Sequence, residues 1–407
     1  MRLASDNELF SQGDQRLATP PITSDESGIA VRYSQSHHND VTTAVEHLYR
    51  ELAVEPLGMV LFFCSTEYDL GALSLALQKQ FDDIPLVGCT TAGELCSQGY
   101  TRGSITAIAF NAKDFTIEAS LVNNLSDFSF LDAQSLVHGM LDRCRRRQVA
   151  PLAGNSFALT LLDGLSVREE QLLTVLNAHL GSIPLLGGSA GDDLHFNDTQ
   201  VYYEGKFHSD AAILLLLNSR CSFEVFSIDH LQSTNEKLVI TAADINKRRV
   251  IEFNAAPAAE EYARSLDVSV DQLNSRIFAL NPLSVKIGDT FYPRAIQKVN
   301  DDLSLTFYCA VENGIVLTRS QCGDLVNGLK QLFTDITRRV GAPQLVIGYD
   351  CIFRRLEADE RDLNESVSAV LRQYNVIGFN TYGEQFNGMH LNQTFTGVAL
   401  GRSDNEH

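Results

Sequence analysis

Ile84-Pro85-Leu86-Val87-Gly88-Cys89-Thr90-Thr91-Ala92-Gly93-Glu94 is an apolar strand that runs into glycine, small or hydroxylated residues, and then a carboxylate. The passage returns as Ile183-Pro184-Leu185-Leu186-Gly187-Gly188-Ser189-Ala190-Gly191-Asp192-Asp193, and again as Asn375-Val376-Ile377-Gly378-Phe379-Asn380-Thr381-Tyr382-Gly383-Glu384. A unit repeated within one chain dictates architecture before any local motif does. Ahead of the first passage, residues 58–64 form an apolar strand. Leu73, Leu77 and Phe81 then recur at four-residue spacing, the mark of a helix face. Beyond it, a turn at 99–103 leads to a strand over 104–110. The order recurs as strand 157–162, helix 169–180, strand 183–186 and strand 211–217. It recurs once more as strand 344–350, helix 365–374, strand 376–379 and strand 393–401.

Between the second and third copies the texture changes. Residues 223–228, 238–241 and 250–253 alternate like strands, with a hairpin turn at 246–249. A helix starts beside Pro257 and runs to 265. Glu312-Asn313-Gly314 is a hairpin signal between strands 304–311 and 315–318, and 324–340 reads as a helix. Helices at 132–147 and 324–340 stand outside the three copies in this reading. The pattern predicts a mixed α/β (α+β) fold. Two lobes of duplicated strand–helix–strand units, with mixed sheets flanked by helices, divide at 221/222. Residues 1–28 are polar, lack the apolar stretch of a signal peptide, and are expected to be a disordered leader.

The chain has 407 residues, enough for two or three domains. Its 51 acidic and 32 basic residues give a net charge of −19, which opposes sequence-independent nucleic-acid binding and docking on an anionic bilayer. No apolar run approaches the roughly 18–20 residues of a membrane span. The eight cysteines show neither close metal-binding pairs nor a haem-attachment motif, so a cytoplasmic setting without disulfides is expected.

The glycine passages lack the spacing and lysine of a nucleotide loop, and they end in acids. Glu94, Asp193 or Glu384 would suit an amine, with nearby backbone N–H groups for a carboxylate. In the bland alternative, the glycines permit tight turns and the acids cap N–H groups. Ser189 lies in no nucleophile setting and Asp192-Asp193 lacks companion ligands, so no catalysis is expected. Among the histidines, His195 follows the second passage, His230 ends a strand, and His390 follows the third passage; neutral imidazole is a ligand for haem iron. Arg354-Arg355, in Asp350-Cys351-Ile352-Phe353-Arg354-Arg355-Leu356-Glu357, could clamp carboxylates or pair internally with Glu357 or Glu384.

Tyr68-Asp69-Leu70 with residues 87–94 resembles the FIST N-terminal domain, and residues 187–193 with Asp210-Ala211-Ala212 fit its second half. Residues 252–262, Gly383-Glu384 and His390-Leu391-Asn392-Gln393-Thr394 resemble the FIST C-terminal domain. The resemblance implies a sensory protein of signal transduction, with an N-terminal domain over 29–221 and a C-terminal domain over 222–403. Residues 350–357 and 383–387 resemble the nitric-oxide-sensing NosP group. That resemblance implies haem b and nitric oxide sensing. It also implies control of a partner histidine kinase feeding cyclic-di-GMP and biofilm output. The resemblance does not fix the axial ligand of the haem iron: His390, whose segment follows a ligand-capable turn, is preferred and His230 is its rival, with Arg354, Tyr382 and Glu384 as further cofactor contacts. Without haem, the ligand expected at the acid-and-glycine passages is a small polar metabolite such as an amino acid. No nucleic-acid or membrane partner is expected, and the resemblance leaves a homo-oligomer open.

Overall fold

The computed structural model describes residues 29–52 and 56–403, so the predicted leader lies outside the described residues. The first unit comprises β1 (Val31–Ser36), α1 (Val41–Glu51), β2 (Leu57–Cys64), α2 (Leu70–Phe81), β3 (Leu86–Thr90), the short pair β4 (Glu94–Cys96) and β5 (Gly99–Thr101), and β6 (Ile105–Asn111). The second repeats it as β7 (Phe115–Asn123), α3 (Phe130–Arg147), β8 (Ser156–Leu162), α4 (Glu169–Leu180), β9 (Leu185–Ser189), β10 (Val201–Tyr203), β11 (Lys206–His208) and β12 (Ala211–Ser219).

The third unit opens with β13 (Cys221–Ile228) and is then interrupted by an insert. The insert holds β14 (Leu231–Asp244), β15 (Arg249–Phe253), β16 (Ala256–Pro257), α5 (Ala258–Leu266), α6 (Ser275–Leu280), β17 (Leu283–Ile287), β18 (Thr290–Arg294), β19 (Ile296–Val299), β20 (Leu305–Phe307) and β21 (Val316–Cys322). The unit resumes with α7 (Leu325–Val340), β22 (Leu345–Cys351), α8 (Ile352–Glu360), α9 (Asn364–Gln373), β23 (Val376–Thr381), β24 (Glu384–Phe386), β25 (Met389–Leu391) and β26 (Phe395–Ser403).

Each copy is therefore longer than the sequence pattern indicates, because the opening strand and helix belong to it. The polar residues of β1 hide its alternation, although Val31, Ser34 and Ser36 are buried. Helix starts follow the capping chemistry. Asp40, Asp69 and Asp324 each accept a backbone N–H of the first turn, and Ser129 with Asp132 forms a capping box.

Every unit builds the same four-stranded sheet, in the orders β1-β6-β2-β3, β7-β12-β8-β9 and β13-β26-β22-β23, and the last two strands in each are parallel. The short hairpin after the third strand leaves its own sheet. β10–β11 of the second unit pairs with β3 of the first, β24–β25 of the third with β9 of the second, and β4–β5 of the first with β23 of the third. Three six-stranded sheets are thereby closed into a ring by cyclic exchange. The 221/222 division falls just inside β13, at the start of the third unit, which this exchange interlocks with the second.

The central strands are buried on both faces, which explains their near-continuous apolar sequences. Along β2, Met59, Leu61 and Phe63 face the shared core of the ring, while Val60, Phe62 and Cys64 pack under α1 and α2. Leu159 of β8 and Ile347 of β22 meet them in the shared core, where the Phe63 and Phe379 rings are 4.8 Å apart. Period-two alternation thus serves two packing layers at once.

The insert is a separate sheet, ordered β18-β17-β21-β14-β15-β20-β19, with β16 on β15. The predicted turn at 246–249 does join paired strands, β14 and β15. The predicted hairpin at Glu312–Gly314 does not. Residues 305–307 pair with β15 and β19, and from Val316 the chain pairs with β14 and β17, so this turn carries the chain across the sheet.

Candidate functional site

The three glycine passages meet. Ala92 N–H donates to the Asn380 carbonyl (3.0 Å) and Asn380 N–H to that of Gly93 (2.7 Å). Gly191 N–H donates to Thr90 (3.2 Å), Ser189 N–H to Gly383 (2.9 Å), and Tyr382 N–H to Ser189 (3.2 Å). Each passage is where the chain crosses from its own sheet to its neighbour's, so the ring exchange forces the convergence. The insert packs on this junction: Ala92, Tyr382 and Phe353 share a core with Tyr308, Cys309 and Val311.

Of the four passage acids, Glu94 and Glu384 are committed there as straps. Glu94 accepts from the hydroxyl of Thr91 and from the N–H (3.2 Å) and hydroxyl (2.7 Å) of Ser104. Glu384 repeats this with Thr381 and with the N–H (3.1 Å) and hydroxyl (2.8 Å) of Thr394. Both carboxyls are wholly buried. Desolvation outweighs the hydrogen bonds and raises their pKa values, to about 7 for Glu94 and about 8 for Glu384.

The second passage is built differently. Asp163, at the end of β8, supplies the strap by accepting from Asp210 N–H (2.6 Å), Leu165 N–H (3.0 Å) and the Thr199 hydroxyl. Asp192 and Asp193 are thus released into the loop that leads to β10. Asp192 accepts three successive N–H groups, from Phe196 (2.9 Å), Asn197 (2.7 Å) and Asp198 (3.0 Å), together with the Tyr382 hydroxyl. Asp193, Leu194 and Phe196 take left-handed φ values of 54°, 71° and 55°. Such non-glycine conformations cost of order 1–3 kcal/mol each and persist where the surroundings impose them, often at functional sites.

Asp193 makes no hydrogen bond or ion pair among the described residues. Burial raises its pKa, against the nearby cations Arg102 and Arg355. Arg355 is its counterpart. Its Nη1 donates to the Thr101 carbonyl (2.7 Å) and to Oδ1 of Asn380 (3.0 Å), and its guanidinium lies 5.2 Å from the Tyr100 ring centroid. Its buried Nε has no partner, and among the described residues no carboxylate pairs with it. Burial and Arg102 lower its pKa. Gly93 makes room for this side chain: a Cβ there would lie 2.4 Å from Nη1, and the residue's φ of 124° favours glycine as well. A buried cation without a counter-ion therefore shares an electrostatic neighbourhood with a half-buried anion without one.

The residues predicted for a cofactor do not form one pocket. His230 has both ring nitrogens engaged, Nδ1 at 2.9 Å from Nη1 of Arg354 and Nε2 at 2.6 Å from Oε2 of Glu357. Arg354 is sealed against Asp350 (2.6 Å), rather than against Glu357 or Glu384. The Tyr382 hydroxyl serves Asp192 and the N–H of Leu194, and Glu384 is strapped. His390 stands apart. Its ring is buried against Gly383 with both nitrogens unpartnered, near Glu169, Glu170, Arg248 and Arg294. As placed, these side chains do not make a haem cradle. The sequence offers Arg355 only as half of an arginine pair able to clamp carboxylates, and Asp192 only as half of an acid pair without companion ligands. The i,i+4 spacings Asp350/Arg354 and Glu357/Arg361 were the readable signal that residues 352–360 form a helix whose Arg354 is already paired.

His230, Cys322 and Glu357 place ligand-type atoms within 4.8 Å of one another. Arginine only donates, so Nδ1 of His230 must accept and Nε2 must carry the proton given to Glu357. A metal at Nε2 would demand an imidazolate, so the cluster is an ionic network rather than a metal centre. Two open clefts of 570 and 520 Å³ lie elsewhere, the first lined by Arg143, Tyr203, Lys206 and His208, the second by Asp82, Ile117 and Tyr202. Among the described residues, no helix is long and apolar enough to cross a membrane.

The FIST N domain model matches residues 58–256 and the FIST C domain model residues 258–387. The chain belongs to the FIST proteins. The junction between the two matches lies inside the insert rather than at a boundary between ring units. FIST domains are sensory and regulatory rather than catalytic, which makes this chain a sensor of signal transduction. It is also similar to an uncharacterized protein of Methanocaldococcus jannaschii. The two are 22% identical over 358 aligned positions, covering 77% of this chain and 67% of that protein.

Proposed function

We propose that this FIST protein senses a small zwitterion of the amino-acid type, held between Arg355 and Asp193. The supporting observation is that each of these oppositely charged groups lacks a counter-ion at the same junction. A ligand carboxylate would satisfy Nε of Arg355, and a ligand ammonium would satisfy Asp193. Charge-assisted hydrogen bonds of this kind are about twice as strong as neutral ones. Glu94 and Glu384, strapped and buried, are not available for the amine. Thermal shift against an amino-acid panel tests the reading, since a ligand at a hundred times its Kd adds about 2.7 kcal/mol. The shift is expected to vanish in Arg355→Ala. No response across the panel, or a response that survives in both Arg355→Ala and Asp193→Asn, counts against it.

Haem sensing with nitric oxide is the second reading, and the unpartnered ring of His390 is the observation that favours it. Haem-supplied protein would then show a sharp Soret band that is lost in His390→Ala. An unchanged spectrum in that variant removes the reading. In either case the proposed output is a partner histidine kinase.

A further inference from the structure

The chain enters the insert at His230 and leaves it at Gly323, and these crossings touch: Gly323 N–H donates to the His230 carbonyl at 2.9 Å. A Cβ on Gly323 would lie 2.4 Å from that carbonyl oxygen. A buried relay of charged groups starts at this point. Nη1 of Arg361 donates both to the Gly323 carbonyl (2.9 Å) and to Oε1 of Glu357 (2.5 Å). Oε2 of Glu357 accepts from Nε2 of His230, whose Nδ1 accepts from Arg354. Arg354 donates to Asp350, and the other Asp350 oxygen accepts the hydroxyl of Tyr100. Tyr100 lies on β5, the hairpin lent by the first unit to the third, and Arg355 stacks on its ring. The side chains of His230, Glu357, Arg354 and Asp350 are 4% exposed or less, so the interactions linking them are little screened by solvent.

We propose that the insert, residues 231–322, is a hinged module whose crossings are clamped by the relay Tyr100–Asp350–Arg354–His230–Glu357–Arg361, and that an anion on Arg355 changes the hold of this clamp through Tyr100. The input half rests on the zwitterion reading above; the clamp rests on the relay's geometry alone. An anion bound by Arg355 reduces the charge that the Tyr100 ring attracts. It also draws the guanidinium toward itself, and the Tyr100 hydroxyl is the first link to Asp350. A ligand transmits a signal only if it stabilises one arrangement of such an element over the other. Here the element is the insert, which packs on the glycine-passage junction through Tyr308 and Val311 and on α4 through Arg248 with Glu169 and Glu170.

Hydrogen–deuterium exchange on the full, ligand-free chain tests both halves. Tyr100→Phe keeps the ring under Arg355 and removes only the hydroxyl. Amides of residues 229–233 and 320–324 are expected to exchange roughly tenfold faster in it, while those of β2 and β8 keep wild-type rates. Arg355→Lys, which loses the stacked guanidinium, is expected to shift the same two segments in the same direction. Wild-type rates at the crossings in Tyr100→Phe overturn the clamp. Acceleration in Tyr100→Phe but not in Arg355→Lys overturns the link to the ligand site. Should Tyr100→Phe loosen the whole molecule, Arg361→Ala, at the solvent-facing end of the relay, must accelerate the crossings alone, and failure to do so also overturns the clamp. Failure of the zwitterion reading would appear instead as a flat thermal-shift panel, a result independent of exchange in ligand-free protein.

Discussion

The first and third glycine passages and the second occupy equivalent places in a cyclic ring, yet they use their acids in opposite ways. Glu94 and Glu384 each take a hydroxyl three residues earlier and an N–H and hydroxyl ten residues later, so that each staples its outgoing hairpin to the strand that follows. In the second copy Asp163 supplies the staple from β8, and Asp192 and Asp193 are free to organise a loop. Duplication thus left two copies holding the ring together and one whose acids face the junction. The third copy stands out in the sequence because an arginine pair and a histidine flank it. In the structure it contributes Arg355, while Asp193, the acid without a counter-ion that feels its charge, comes from the second copy.

Removing the staples should have the largest effect. Glu384→Ala would leave the N–H of Thr394 and the hydroxyl of Thr381 without partners in a dry site and the Thr394 hydroxyl with only Thr396, at about 1–3 kcal/mol for each buried group left unsatisfied. A loss of roughly 3 kcal/mol or more in denaturant unfolding is expected, and Glu94→Ala should behave alike. A loss below about 1 kcal/mol would mean that the acids are not staples.

Next in size is a pH effect. Glu94 and Glu384 have folded-state pKa values of about 7 and about 8 against an ordinary 4.5, so the folded protein holds protons that the unfolded chain releases. Their contribution is fully present below about pH 4.5 and is lost as pH rises through 7 to 8. Glu384→Gln, which keeps an acceptor without a charge, should gain on the wild type by a few kcal/mol between those limits. A constant difference across that range would contradict the burial argument.

Smaller and local is Asp192→Ala, which frees three N–H groups of the 193–198 loop. It should raise proteolysis and amide exchange there, at about 1–2 kcal/mol, a cost comparable to that of losing a helix cap. Smallest is Asp193→Asn. With no partner to lose, it should alter stability by no more than about 0.5 kcal/mol.

Much of this architecture was legible in the sequence. The three passages, the helices at α2, α4, α7 and α9 and the turn between β14 and β15 follow from glycine placement and periodicity. The hairpin exchange was not legible, because the partner of β4 lies in β23, nearly three hundred residues away, and alternation says nothing about which edge a hairpin finds. The Glu312–Gly314 turn misled for the same reason: its chemistry fixes a reversal, while long-range pairing with β14 decides where the strand goes. At the site, the residue types were visible but their commitments were not. Arg354 and Arg355 are neighbours in sequence, and only the turn of α8 places one on Asp350 and the other on Thr101 and Asn380 without a carboxylate.

The most direct measurement is calorimetric titration of the amino-acid panel into the wild-type, Asp193→Asn and Glu384→Gln proteins. The account predicts that a ligand bound by the wild type is lost by Asp193→Asn and kept by Glu384→Gln. Binding that survives in Asp193→Asn and disappears in Glu384→Gln would place the ligand at the third passage and contradict it.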